Sequence, residues 1–217
     1  MNIRHLLVGA ALSFALTLSI TPSAFAQDAK APAQAPAPAS SGPQYREFIL
    51  GDAKAPVTII EYASLTCSHC AHFHQTAYGD LKKNYIDTGK VRFVFRDFPL
   101  DGLATAGAVI ARCAPGDRGL KLIDMMFKNQ DTWIRSEKPL EPLKGYALLA
   151  GMSSDDVDAC LKNEAIIKTV REVQNTGSNL YKIQATPTFF VDEEKVEGDP
   201  GYEALAKKID EKIKDKK

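Results

Sequence analysis

The chain has 217 residues, 45% of them hydrophobic, and its 27 Lys plus Arg balance its 27 Asp plus Glu. That length and apolar content suffice for one or two domains with a real core, and the aliphatic and aromatic content is that of a soluble globular protein. With no net charge there is no electrostatic basis for nucleic-acid binding.

Residues 1–26 read as a secretory leader. Arg4 and His5 form a basic start, residues 6–20 are mostly apolar, and Ala24-Phe25-Ala26 is a small-x-small cleavage site ahead of Gln27. The apolar run is short for a membrane span; the competing reading is an uncleaved anchor. Residues 27–43 alternate Ala and Pro and predict an extended linker that buries nothing. Export places Cys67, Cys70, Cys113 and Cys160 in an oxidising compartment, where an even count favours pairing. Adjacency pairs Cys67 with Cys70 and leaves Cys113 with Cys160; the alternative for the second pair is two buried free thiols.

Residues 45–50 alternate like a strand, and Gly51 to Pro56 form a turn cluster. Val57-Thr58-Ile59-Ile60-Glu61-Tyr62 is a β-branched run that predicts a buried strand. A brief connection, Ala63 to Thr66, leads to Cys67-Ser68-His69-Cys70. These residues open a helix that carries Phe73, Ala77 and Leu81 at helical spacing and ends near Gly89. Val91-Arg92-Phe93-Val94-Phe95-Arg96 alternates again, so the helix crosses between two parallel strands.

From Leu103 to about Tyr181 the pattern is helical. Leu120, Ile123, Met126 and Phe127 share a face, the Leu143 segment stops at Gly151, and Ser153 to Asp156 cap a helix bearing Val157 and Cys160. Ile166, Ile167, Val170 and Val173 continue an apolar stripe, and Trp133 with the Met125/Met126 pair reads as core. Pro187-Thr188-Phe189-Phe190-Val191 returns to strand, a short strand around Lys195 follows, and a last helix starts near Tyr202. The order is β-β-α-β, a helical insert, then β-β-α. The fold class is α/β.

Chemistry concentrates at Cys67 and Cys70. A strand that turns at once into a helix leaves unpaired N–H groups beside the positive end of the helix dipole. A cysteine placed there is biased toward thiolate, and a second cysteine one turn on can meet it as a reversible disulfide. Cys-x-x-C alone also serves zinc and structural bridges. Here Glu61 precedes the pair, and Phe95-Arg96-Asp97-Phe98-Pro99-Leu100 and Thr186-Pro187-Thr188-Phe189-Phe190-Val191 follow it. Together these segments resemble the DsbA family of secreted thiol:disulfide oxidoreductases, with the second cysteine pair of one subset.

The resemblance implies a thioredoxin-like fold, residues 44–102 and 176–217, with an inserted helical domain, residues 103–175. It implies Cys67 as the exposed nucleophile, Cys70 as the buried resolving thiol, and His69 as a thiolate stabiliser. Glu61 would be a buried acid that moves protons for Cys70, against a plain reading as an edge carboxylate facing water. Pro187 would be a cis-proline facing the disulfide, with Thr186, Pro187, Ser68 and His69 lining the substrate path. Cys113 and Cys160 would form a structural bridge. His72 and His74 read as solvent-facing or packing residues of the helix. No cofactor is implied. The expected partners are unfolded exported proteins with cysteine thiols and a membrane, quinone-linked DsbB-type reoxidant, and the expected setting is a periplasmic monomer. Two other readings share these residues: an isomerase or reductase on the same core, and a module in which Cys67, Cys70 and His74, with His69 and His72 nearby, hold zinc or cuprous copper.

Overall fold

The computed structural model describes residues 45–216. The expected leader, residues 1–26, and linker, residues 27–43, lie outside the described residues. Five strands are present among those described: β1 (Phe48–Leu50), β2 (Val57–Ala63), β3 (Val91–Asp97), β4 (Thr188–Val191) and β5 (Glu194–Glu197). They form one sheet in the order β1-β3-β2-β4-β5. Only β2 and β3 pair in parallel; β1, β4 and β5 join antiparallel. The parallel pair is the one whose connection carries the Cys-x-x-C helix, as the strand readings on either side of that helix predict.

Side-chain parity sets the two faces of β2. Val57, Ile59, Glu61 and Ala63 project to the side of the main core, and Tyr62 joins a smaller cluster with Phe98 and Ile183 on the other side. Glu61 pairs in register with Phe95 on β3 and Phe189 on β4, so it stands in the middle of the sheet with no sequence-local polar neighbour.

The Cys-x-x-C helix is shorter than its apolar spacing predicts. It runs as α1 (Ser68–Thr76), breaks at Ala77, resumes as α2 (Tyr78–Leu81) and widens into a π-helical turn (Lys82–Ile86). The Thr76 hydroxyl donates to the His72 carbonyl at 2.7 Å. Back-bonding of that kind loosens helices, and the i, i+4 pattern of Phe73, Ala77 and Leu81 persists across the interruption.

Between β3 and β4 come six helices: α3 (Gly102–Cys113), α4 (Arg118–Lys128), α5 (Gln130–Ile134), α6 (Leu140–Leu149), α7 (Ser154–Leu161) and α8 (Glu164–Asn179). The chain closes on α9 (Gly201–Asp215). Ser153 and Asp156 form the expected capping box on α7, and Gly151 takes φ +85° after α6. The short α5 has no apolar periodicity of its own and was not anticipated. It seats Trp133, which is fully buried and donates Nε1–H to the Met126 carbonyl at 2.8 Å. Met126 is buried with it, while Met125 is half-buried.

Arg112 ties α3 to the sheet. Its guanidinium is fully buried, bonded to Asp97 at 2.7 Å and to the Arg46 carbonyl at 2.6 Å, and it lies 3.7 Å over the Phe48 ring. Cys113, at the end of α3, is bridged to Cys160 in α7 with Cα atoms 6.2 Å apart. Asp97 belongs to the Phe95-to-Leu100 motif, and its buried partner gives that motif a structural reason.

Candidate active site

The site begins where β2 ends. Ser64, Leu65 and Thr66 reverse the chain, and the Cys67 N–H bonds back to the Ser64 carbonyl at 3.0 Å. The turn is held from the helical segment. Gln130 donates from Nε2 to the Leu65 carbonyl at 2.8 Å and to the Cys67 carbonyl at 2.9 Å. The Thr66 hydroxyl donates to Asp101 at 2.6 Å, and Asp101 also caps α3 through the Ala104 N–H at 2.7 Å.

Cys67 is the N-cap residue of α1, with extended backbone angles, and no acidic side chain stands in the first turn. Its sulfur is half-buried, and Cys70 is buried behind it. As a thiol, Cys67 donates to the Thr186 carbonyl at 3.1 Å. As a thiolate it gains other donors. The Cys70 thiol lowers its pKa most; burial opposes this, and the Thr186 side chain and the N–H groups of Cys70 and His69 add to the lowering. The result is a pKa brought from the ordinary 9.0 to about 5. The Thr186 Oγ1 is buried without another hydrogen-bond partner, so it is free to serve the sulfur. Cys70 moves the opposite way: burial, the Cys67 sulfur and the Glu61 carboxylate all push its pKa up, so it stays protonated. Two thiols of one motif thus divide into a charged outer and a neutral inner sulfur.

The other residues singled out from sequence fall into two groups. Thr186 and Pro187 are buried and joined by a cis peptide bond, and the Thr186 carbonyl stands against Cys67. Ser68 and His69 are exposed on the first turn of α1 beside them. The part of His69 that acts on Cys67 is its backbone N–H.

Glu61 is fully buried, so the edge-carboxylate alternative does not hold. One of its oxygens lies 3.2 Å from His74 Nε2, and the other has no hydrogen-bond partner among the described residues. His74 is itself buried, 1% exposed, and stacks on Phe127 with ring centroids 4.3 Å apart. Of its two expected settings, packing is the one observed. His72 points outward and pairs with Asp199. The histidines therefore diverge, and among the described residues no cluster of three or more His, Cys, Asp or Glu is placed to hold a metal.

Sequence reasoning passed over Gln130 and Asp124 and undervalued His74. The spacing did carry a signal for His74: it follows Cys70 by one full turn, on the same face of α1. Nothing local marks Gln130, whose partners are more than sixty residues away in sequence.

Comparison with known proteins agrees with this geometry. A family model described as Thioredoxin matches residues 44–211. A Rickettsia felis protein named "Putative protein-disulfide oxidoreductase" is 32% identical over 173 residues, covering 79% of this chain and 62% of that protein. The chain spans between 54% and 66% of the length of the rickettsial relatives it matches. Among solved structures, Wolbachia pipientis alpha-DsbA1 superposes with a TM-score of 0.72 at 30% identity, covering 79% of this chain and 92% of that one. Bacillus subtilis BdbD shares the fold with a TM-score of 0.68 at 20% identity, covering 80% and 97%. With its Cys-x-x-C at the start of α1, its cis Thr186–Pro187 bond and its helices between β3 and β4, the chain belongs to the thioredoxin family, in the DsbA branch that carries an inserted helical domain.

Proposed function

We propose that this chain is a periplasmic thiol:disulfide oxidoreductase that donates a Cys67–Cys70 disulfide to cysteine pairs of exported proteins. The observation that carries the reading is the split between the two sulfurs. Cys67 is half-buried with a pKa lowered to about 5, and Cys70 is buried and held protonated.

A substrate thiolate attacks Cys67 in the oxidised enzyme and displaces Cys70. A second substrate thiol then attacks the substrate sulfur, forming its disulfide, and Cys67 leaves as thiolate. A leaving thiol of low pKa departs faster, and stabilising it favours the reduced enzyme, so the oxidised form is a strong oxidant. The Thr186 backbone beside Cys67 offers an extended substrate a strand-like pairing edge, with Pro187 below it and Ser68 and His69 at the rim. Reoxidation falls to a membrane, quinone-linked DsbB-type protein, and the leader in residues 1–26 supplies export. Among the described residues no helix is long and apolar enough to cross a membrane.

The test is stoichiometric. Oxidised enzyme mixed with a fluorescent peptide bearing two thiols should convert it to the disulfide, one per enzyme, and Cys67→Ser should abolish the reaction. Faster repair of a scrambled substrate than oxidation of the dithiol peptide would assign the protein to isomerisation instead.

A further inference from the structure

Behind the two sulfurs a buried polar chain leads to the surface. Glu61, from β2, meets His74 Nε2 at 3.2 Å; His74 Nδ1 meets Asp124, from α4, at 3.4 Å; and Asp124 meets Lys128 at 2.7 Å. The exposure of the side chains rises along it, from 0% at Glu61 and His74 to 22% at Asp124 and 53% at Lys128. The walls are aromatic: Phe127 stacks on the imidazole, and Phe73, Tyr78 and Phe95 close the remaining sides. Two titratable groups besides the chain itself face this spot: Tyr78 from α2 and Cys70 one turn before His74. At the inner end, the second oxygen of Glu61 is buried and unpartnered, and the Glu61 charge acts on Cys70. A buried carboxylate oxygen left without a partner is costly and calls for a use.

We propose that His74 is a positioning residue for the exchange reaction, carrying protons between the Asp124 edge and Glu61 so that Cys70 is protonated and deprotonated from behind. The proposal rests on the oxidoreductase reading above. Attack of a substrate thiolate on Cys67 forms the mixed disulfide and breaks the Cys67–Cys70 bond, leaving the electron pair on the Cys70 sulfur. Charge on a sulfur that deeply buried is unfavourable. The Glu61 carboxylate takes the Nε2 proton of His74 and hands a proton on to the Cys70 sulfur, and His74 receives a solvent proton at Nδ1 by way of Asp124. When a disulfide-bearing partner later forms a mixed disulfide with Cys67, Cys70 attacks that bond and gives up its proton along the same route outward. One proton enters in one half-cycle and one leaves in the other, so the imidazole returns to its starting tautomer without turning over in its packed slot.

The electrostatics fit a group kept ready for such transfer. Burial alone pulls the His74 pKa down, but the Glu61 and Asp124 carboxylates outweigh it and the net shift is upward. Burial raises Asp124, and His74 and Lys128 outweigh that in turn, so its net shift is downward.

The experiment compares wild type, His74→Phe and Asp124→Asn as oxidised full chains against a dithiol peptide. The rate is followed from pH 5 to 9 in water and in deuterium oxide. Cys67 alkylation by iodoacetamide is measured in parallel. His74→Phe should lower the donation rate about a hundredfold, in line with the loss of a positioned proton carrier. It should also change the pH profile and the solvent isotope effect while leaving Cys67 alkylation in place. Asp124→Asn, at the half-exposed end, should fold normally and show the same changes to a lesser degree. If His74→Phe does not fold, Asp124→Asn decides. A wild-type rate, pH profile and isotope effect in the folded variants would overturn the relay. Failure of the wild type itself to oxidise the peptide would instead overturn the oxidoreductase reading.

Discussion

Replacing Cys70 with alanine tests what holds the Cys67 thiolate. The Cys70 thiol is the largest contributor lowering the Cys67 pKa to about 5. A hydrogen bond to a charged group contributes about 1.5–3 kcal/mol, and one pKa unit is about 1.4 kcal/mol, so its loss is worth roughly 1–2 units. The lower end applies best, because Cys67 is only half-buried and solvent takes over part of the lost solvation. The Thr186 side chain and the N–H groups of His69 and Cys70 survive the substitution. Cys70→Ala should therefore titrate about 1–2 units above the wild type, still well short of an ordinary thiol. The pH dependence of iodoacetamide alkylation, with thiolate absorbance near 240 nm as a check, reads this directly. An inflection that stays at the wild-type value would show that the inner thiol is not the donor. A full return to ordinary thiol behaviour would show that the helix start and Thr186 contribute nothing.

The lowered Cys67 pKa also makes the stability of the reduced protein depend on pH. A depressed pKa stabilises the fold fully above the unfolded value of 9.0 and ceases to do so as pH falls through about 5. The excess of reduced over oxidised stability in urea melts should narrow from pH 9 toward pH 5; widening toward acid would contradict the sign. Arg112→Ala strands Asp97 and two main-chain acceptors in the core. It should cost about 3–5 kcal/mol in urea unfolding, and a loss under ~1 kcal/mol would mean the pair is not buried as described. Replacing both Cys113 and Cys160 by alanine opens a loop of 47 residues. Chain entropy sets the loss near 4 kcal/mol, with Cys67 reactivity unaltered; a shifted Cys67 titration would tie the bridge to the site. Gln130→Leu removes both donors from the turn before Cys67, which should cost about 1–3 kcal/mol and slow disulfide donation; an unchanged rate would make the clamp purely structural.

The elements were readable because each has a local cause. A β-branched run marked β2 and alternation marked β3, Gly151 and the Ser153–Asp156 box marked helix ends, and Cys67 beside Cys70 at a strand-to-helix turn marked the chemistry. The interruption at Ala77 was hidden, because the apolar spacing that predicts a continuous helix runs on across it. The short α5 was hidden too, because five residues carry less than two turns of periodicity.

What the sequence supplied by itself is most of the strand and helix order and the expectation that Cys67, Cys70 and Pro187 make up the site. Each of these follows from residues close together in the chain, or from a family resemblance written in short motifs. The resemblance implied that Glu61 is buried; tertiary structure alone decided that His74 turns toward it instead of outward, and that Asp124 and Gln130 reach the site from the helical segment. A side chain's protonation and proton traffic depend on which charges packing brings within a few ångströms, and the charged neighbours of His74 lie up to 50 residues away in sequence.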